Sequence, residues 1–297
     1  MREAVDDRLS AGFLVRVRGL LPALSRAEAR VAAAVLPDAR AGAAMTVTEL
    51  ARASGTSEAT VLRFCRSAGL RGYAELRIAL AAEAARAQPT NGTPPIGSDI
   101  GAGDDLARVV EKIAWADARA VEETAQQLDT RALERAVEAI AAARRIDVYG
   151  VGASAFVAAD LQQKLHRIRR TAFAWADPHM ALTSAAVLEP TDVAVGVSHS
   201  GATIDVRDAL AEAGRRGATT VALTNFPRSP LARDADIVLT TAARETTFRA
   251  GATASRIAQL TIVDCLFVGV AQRTYAEARQ ALERTHDAVR HRREGGT

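Results

Sequence analysis

The chain has 297 residues, enough for two domains or one large one, and an apolar content of 48% supplies a real core. Its start carries acids and no apolar stretch, which excludes a secretory signal. The most apolar long segment, Ile257 to Val270, holds Gln259 and Asp264 and is too short to cross a bilayer, so no membrane partner and a cytoplasmic location are expected.

The net charge of +3 is unevenly spread: residues 1–86 hold 13 Arg or Lys against 9 Asp or Glu, and the remainder 25 against 26. A positive excess in the first third fits a region that meets nucleic acid. Cys65 and Cys265 are the only cysteines and have no metal-ligand spacing, so they read as small core residues and neither metal nor cofactor is expected.

Residues 10–36 read as helix, interrupted at Pro22, with Ser25 and Glu28 as a capping box and Val31, Val35 and Leu36 on a buried face. Thr46 and Glu49 open another short helix, Gly55 supplies its left-handed end, and Ser57 caps the next helix almost at once. Ala51 is small where the two helices cross and Val61 faces the same core, so the pair reads as a helix-turn-helix. Val61, Leu62 and Cys65 are expected inward. Ser57, Glu58, Ala59, Thr60, Arg63 and Arg66 are then left outward as candidate DNA contacts. A plain helical bundle with a solvated arginine face is the alternative.

Three segments occur in order: Thr46-x-x-Glu49-Leu-Ala, Ser57-x-x-Thr60-Val-x-Arg63-Phe, and Gly69-x-x-Gly72-Tyr-x-Glu-Leu76. Together they resemble the N-terminal domain of RpiR-type transcriptional regulators. The resemblance covers residues from about 10 to 275. It implies an all-α DNA-binding domain (1–86), a linker (87–103) rich in Pro, Gly, Thr, Ser and Asn, and an α/β SIS domain (104–297).

Past the linker, residues 104–128 and 130–143 read as helices. Strands are expected from Ile146, over Thr171–Ala176, Asp192–Ser198, Thr219–Thr224 and Asp236–Thr240. Their alternation with helices implies a five-stranded parallel sheet flanked on both faces, with ligands outside the strands' carboxyl ends.

The turn Ser198-His199-Ser200-Gly201-Ala202-Thr203 joins a buried strand to a helix whose inward face is Val206, Leu210 and Ala213. Three hydroxyls at a helix start make a phosphate cradle without a cation, or a simple helix cap. A nucleophile elbow would need glycine at Ser200, and a Walker A loop would need a lysine, so both are set aside. The turn resembles the Ser-x-Ser-Gly-x-Thr loop of sugar isomerase (SIS) domains, which holds the phosphate of a sugar phosphate. The resemblance implies phosphate contacts by Ser154, Ser198, Ser200, Gly201 and Thr203, and sugar contacts by Gly152, His199 and Glu245, although His199 and Ala202 replace polar residues common in the family. Ser255-Arg256-x-x-x-Leu260 also resembles the family, where it opens a helix at the dimer interface.

The expectation is therefore a transcription regulator, binding double-stranded operator DNA as at least a homodimer and controlled by a sugar phosphate. Two alternatives remain. Gly150-x-Gly152-x-x-Ala155 with Asp177 also fits a dinucleotide fingerprint, as in a Rex-like NADH-responsive repressor. His166, His179 and His199 could serve as bases in an aldose–ketose isomerase, which leaves the helix-turn-helix unexplained.

Overall fold

The computed structural model describes residues 13–86, 99–245, 249 and 255–294. The chain divides into two compact units, residues 1–115 and 116–297.

The first unit is built from helices α1 (Phe13–Leu20), α2 (Arg26–Val35), α3 (Ala39–Ala44), α4 (Val47–Ala53), α5 (Glu58–Ser67) and α6 (Tyr73–Arg86). Both expected capping boxes form, Ser25 with Glu28 and Thr46 with Glu49. Val31, Val35, Leu50, Val61, Phe64 and Leu76 meet in one core. Leu62, expected inward, is instead 38% exposed, and Phe64 takes its place. The buried stripe of α5 runs Val61, Phe64, Cys65 and Ala68 at helical spacing, and Leu62 lies about 100° off it.

The expected linker lies outside the described residues as far as 98. Residues 99–105 are tied to helix α7 (Leu106–Gln127), because the buried Lys112 Nζ donates to the Asp99 carbonyl (2.9 Å) and the Asp104 carboxylate (2.6 Å). The division between the two units falls within α7.

In the second unit α8 (Thr130–Ala142) leads into five strands, β1 (Ile146–Tyr149), β2 (Ala172–Trp175), β3 (Val193–Val197), β4 (Thr219–Thr224) and β5 (Ile237–Thr240). All pair in parallel, in the order β2-β1-β3-β4-β5. Crossovers are α9 (Ala153–Arg167), α10 (Pro178–Ala185), α11 (Ile204–Arg215) and α12 (Pro230–Arg233). Two long helices follow β5, α13 (Ser255–Arg273) and α14 (Tyr275–Glu294).

Strand alternation sorts the core by face. Val148, Val195, Val197, Val221 and Leu223 join the cluster that contains α8, α9 and α13 residues. Ala194 and Ala222 face the cluster that holds Val206, Leu210 and Leu231. Gly196 lets α11 close on β3, because a Cβ there would lie 3.2 Å from both Leu210 and Leu231.

Candidate functional site

In the first unit α4 and α5 form the helix-turn-helix. Gly55 adopts φ 61° and turns the chain so that the Thr56 amide bonds the Ala51 carbonyl at 2.8 Å. Ser57 caps α5 by accepting from the Thr60 amide. Ser57, Glu58, Ala59, Arg63 and Arg66 are exposed, so the first turns of α5 offer both signs of charge to a groove. Thr60, expected outward, is 5% exposed, and its hydroxyl is engaged by Ser57 (3.1 Å) and the Arg63 guanidinium (3.0 Å). It lies on the Val61–Phe64 side of α5 and steadies Arg63 rather than presenting itself.

In the second unit the site forms where strand order reverses. β1 and β3 are neighbours, and their following helices leave the sheet's carboxyl edge toward opposite faces, which is the topological switch of such a sheet. Several helix starts are closed by side chains: Thr46, Ser57, Asp129, Asp177 and Ser229 each accept from a first-turn amide. The two helices at the switch have no such cap. Gly152 (φ 57°) precedes α9 and Thr203 precedes α11, and neither supplies a side-chain cap. Open helix N-termini at such a switch point are the kind of place that favours an anion.

The hydroxyl loop arches over the start of α11. Ser198 is buried, its Oγ lies 3.0 Å from Thr203 Oγ1, and it accepts from the Gly201 amide at 3.1 Å. Ser200 is exposed and accepts from the Ala202 amide at 3.2 Å. Gly201 corrects an expectation. At φ 59° its amide folds back onto Ser198 instead of facing a ligand, so the backbone donors that remain are the α11 amides preceding its first internal bond, Arg207 N–H to the Thr203 carbonyl. Gly201 is required for a steric reason, since a Cβ there would lie 2.1 Å from Ser229 Oγ and 2.9 Å from Thr224 Oγ1. Ser154, in the first turn of α9, is buried beside the same edge.

The sequence did not single out Thr224, Asn225 or Ser229. Thr224 Oγ1 donates to the His199 carbonyl at 3.1 Å, and Asn225 Oδ1 accepts from the Ala243 amide (2.7 Å) and Thr241 Oγ1 (3.1 Å). The end of β4 thus fixes both the hydroxyl loop and the segment that carries Glu245. His199 packs edge-on against Phe226 with ring centroids 5.4 Å apart, and its buried Nδ1 has no hydrogen-bond partner among the described residues. Burial pushes the imidazole below its usual value, against an opposing pull from the Glu245 carboxylate. Glu245 accepts from Ser255 Oγ at 3.2 Å.

The other two histidines do not join this group. His166 lies in the last turn of α9, at the opposite end of the sheet, and meets Gln162 at 2.9 Å; His179 is exposed on α10. Asp177, the acid a dinucleotide fingerprint would need at a ribose, is spent on capping α10 through the Met180 amide at 2.9 Å.

Comparison with known proteins agrees with both halves of the molecule. Residues 11–87 match the rpiR-family helix-turn-helix domain and residues 139–269 match the SIS domain. An uncharacterized HTH-type transcriptional regulator of Caldanaerobacter subterraneus is 41% identical over 93% of this chain and 96% of its own length. Vibrio vulnificus NanR, solved in complex with ManNAc-6P, is 32% identical over 93% of this chain and 97% of its own, with a TM-score of 0.59. The sugar isomerase domain of an RpiR transcription factor from Sphaerobacter thermophilus is 31% identical, covers 61% of this chain and 99% of its own, and gives a TM-score of 0.56. With both domains matched in this order and a relative similar along almost its entire length, the chain belongs to the RpiR family of helix-turn-helix transcriptional regulators that carry a SIS domain.

Proposed function

We propose that this regulator binds a sugar phosphate at the β1/β3 switch point and that the bound sugar alters its hold on operator DNA. The phosphate is received by Ser154, Ser198, Ser200 and Thr203 with the opening amides of α9 and α11. His199, Glu245 and Gly152 border the sugar. Ser57, Glu58, Ala59, Arg63 and Arg66 meet the DNA. The observation that carries the reading is the pair of uncapped helix starts beneath a hydroxyl loop, in a chain that also has a helix-turn-helix. NanR, similar along nearly its whole length and solved with ManNAc-6P, supports the ligand class.

One helix-turn-helix makes too few contacts for a specific site, so we place at least a dimer on a two-fold operator, with α13 in its interface. The protein acts without turnover. The support for this is that relatives similar along nearly their whole length are named HTH-type transcriptional regulators. The test is purified protein given a panel of hexose and amino-sugar 6-phosphates. At least one should bind and none should be converted; turnover lost on His199→Asn would establish the isomerase. Tight NADH binding without sugar-phosphate binding would establish the redox sensor.

A further inference from the structure

Gln259 is fully buried, yet among the described residues neither its Nε2 nor its Oε1 has a hydrogen-bond partner. A carboxamide can make several hydrogen bonds, and leaving all of them unmade in a closed interior is costly enough that buried polar groups are almost always paired.

Its position gives the anomaly a purpose. Helix α13 follows the segment 241–245, which the Thr224–Asn225 end of β4 holds at the sheet's carboxyl edge. α13 therefore starts at the same edge as α9 and runs down beside it. Lys164 Nζ bridges Asp160 on α9 and Asp264 on α13, so Asp264 stands level with the 160–164 turn. Counting back five residues, Gln259 is level with the turn that follows Ser154. Ser255, one helical turn before Gln259 and on the same face, is also buried and donates to Glu245, whose charge acts on His199. Gln259 thus continues a polar row, His199–Glu245–Ser255, that borders the hydroxyl loop. Two members of this row, His199 Nδ1 and the Gln259 carboxamide, have no partner among the described residues.

We infer that Gln259 is a further specificity-determining residue for the effector, its carboxamide completed by a sugar hydroxyl. A hydroxyl donates to Oε1 and accepts from Nε2, so one such group satisfies both atoms; an ionised phosphate oxygen only accepts. This rests on the sugar-phosphate reading of the site and extends it. The hydroxyl loop holds whatever carries a phosphate, whereas Gln259 distinguishes a polyol from a phosphate bearing something else.

The experiment compares the wild type, Gln259→Met and Ser200→Ala as full chains, by thermal melting and by calorimetric titration with inorganic phosphate and with the hexose and amino-sugar 6-phosphate panel. Methionine keeps the unbranched length and removes the unsatisfied atoms. Without ligand, Gln259→Met should melt at the wild-type temperature or above, since no bond among the described residues is lost. It should keep wild-type affinity for inorganic phosphate and lose at least about tenfold for the sugar phosphate that the wild type binds best, the size of one lost hydrogen bond. Ser200→Ala should weaken both ligands. A lower melting temperature for Gln259→Met, or wild-type affinity for that sugar phosphate, would overturn the inference and leave the phosphate site standing. A wild type that binds no sugar phosphate would remove both.

Discussion

Ser198 and Ser200 are two residues apart and carry the same hydroxyl, yet the structure gives them different work. Ser198 is buried and its Oγ binds the loop together, to Thr203 and to the Gly201 amide, while Ser200 is exposed. In the proposed site each gives a bond to a charged oxygen, so alanine at either should cost roughly 1.5–3 kcal/mol, or on the order of tenfold to a hundredfold in effector affinity. Ser198→Ala should also destabilise the fold, by the ~1 kcal/mol typical of an internal hydrogen bond, whereas water can replace the exposed bond from the Ala202 amide to Ser200, so Ser200→Ala should melt higher than Ser198→Ala. Equal melting of the two variants would contradict the loop geometry. His199 has a pH signature. Its folded pKa is depressed by burial, so the unfolded chain takes up the proton first. Its contribution to stability is intact above the unfolded value near 6.5 and is lost as pH falls from there through the folded pKa. Melting between about pH 7.5 and 5.5 should therefore fall more steeply for the wild type than for His199→Asn, and parallel curves would count against this environment.

At the scale of elements, the proposed function rests on α5 and the sheet's carboxyl edge. Arg63 is exposed on α5 and held by Thr60, so Arg63→Ala should weaken DNA binding without unfolding the first unit. If Arg63 meets only phosphate, affinity falls about equally on every sequence and the salt slope drops by about 1; if it reads a base, preference relaxes at one position. Unchanged affinity and salt dependence would remove it from the interface. Most of these elements were legible in the sequence because their signals are local. The capping boxes at Ser25 and Thr46, the left-handed Gly55 and the valine-rich run before Ser198 each act within a few residues. Helices α10 and α12 were not foreseen, although Asp177-Pro178 and Ser229-Pro230 are cap-and-proline starts, because each is too short to show a periodic face. Thr60 and Leu62 were misplaced by one position on the helical wheel, since an apolar residue beside a buried stripe looks like part of it until packing decides. Gln259 was beyond reach for a different reason. An unpaired carboxamide shows itself only when every neighbour is in place.

At the scale of the molecule, a DNA-reading unit and a sugar-phosphate site occupy one chain, and control requires a difference in effector affinity between DNA-bound and free protein. By reciprocity, a ligand with equal affinity for both states would shift nothing, however tightly it bound. No side chain proposed for the phosphate belongs to the helix-turn-helix, so a defect in the cradle should spare DNA binding and abolish only its regulation. The most direct measurement is anisotropy of a labelled duplex, selected in vitro for binding, titrated with wild type or Ser200→Ala across the panel of sugar 6-phosphates. The account predicts equal affinity of both proteins for the duplex without effector. It also predicts that one sugar phosphate shifts the wild-type affinity, and that Ser200→Ala needs at least about tenfold more of it for the same shift. A wild type that ignores every sugar phosphate, or a Ser200→Ala protein that responds at the wild-type concentration, would contradict it.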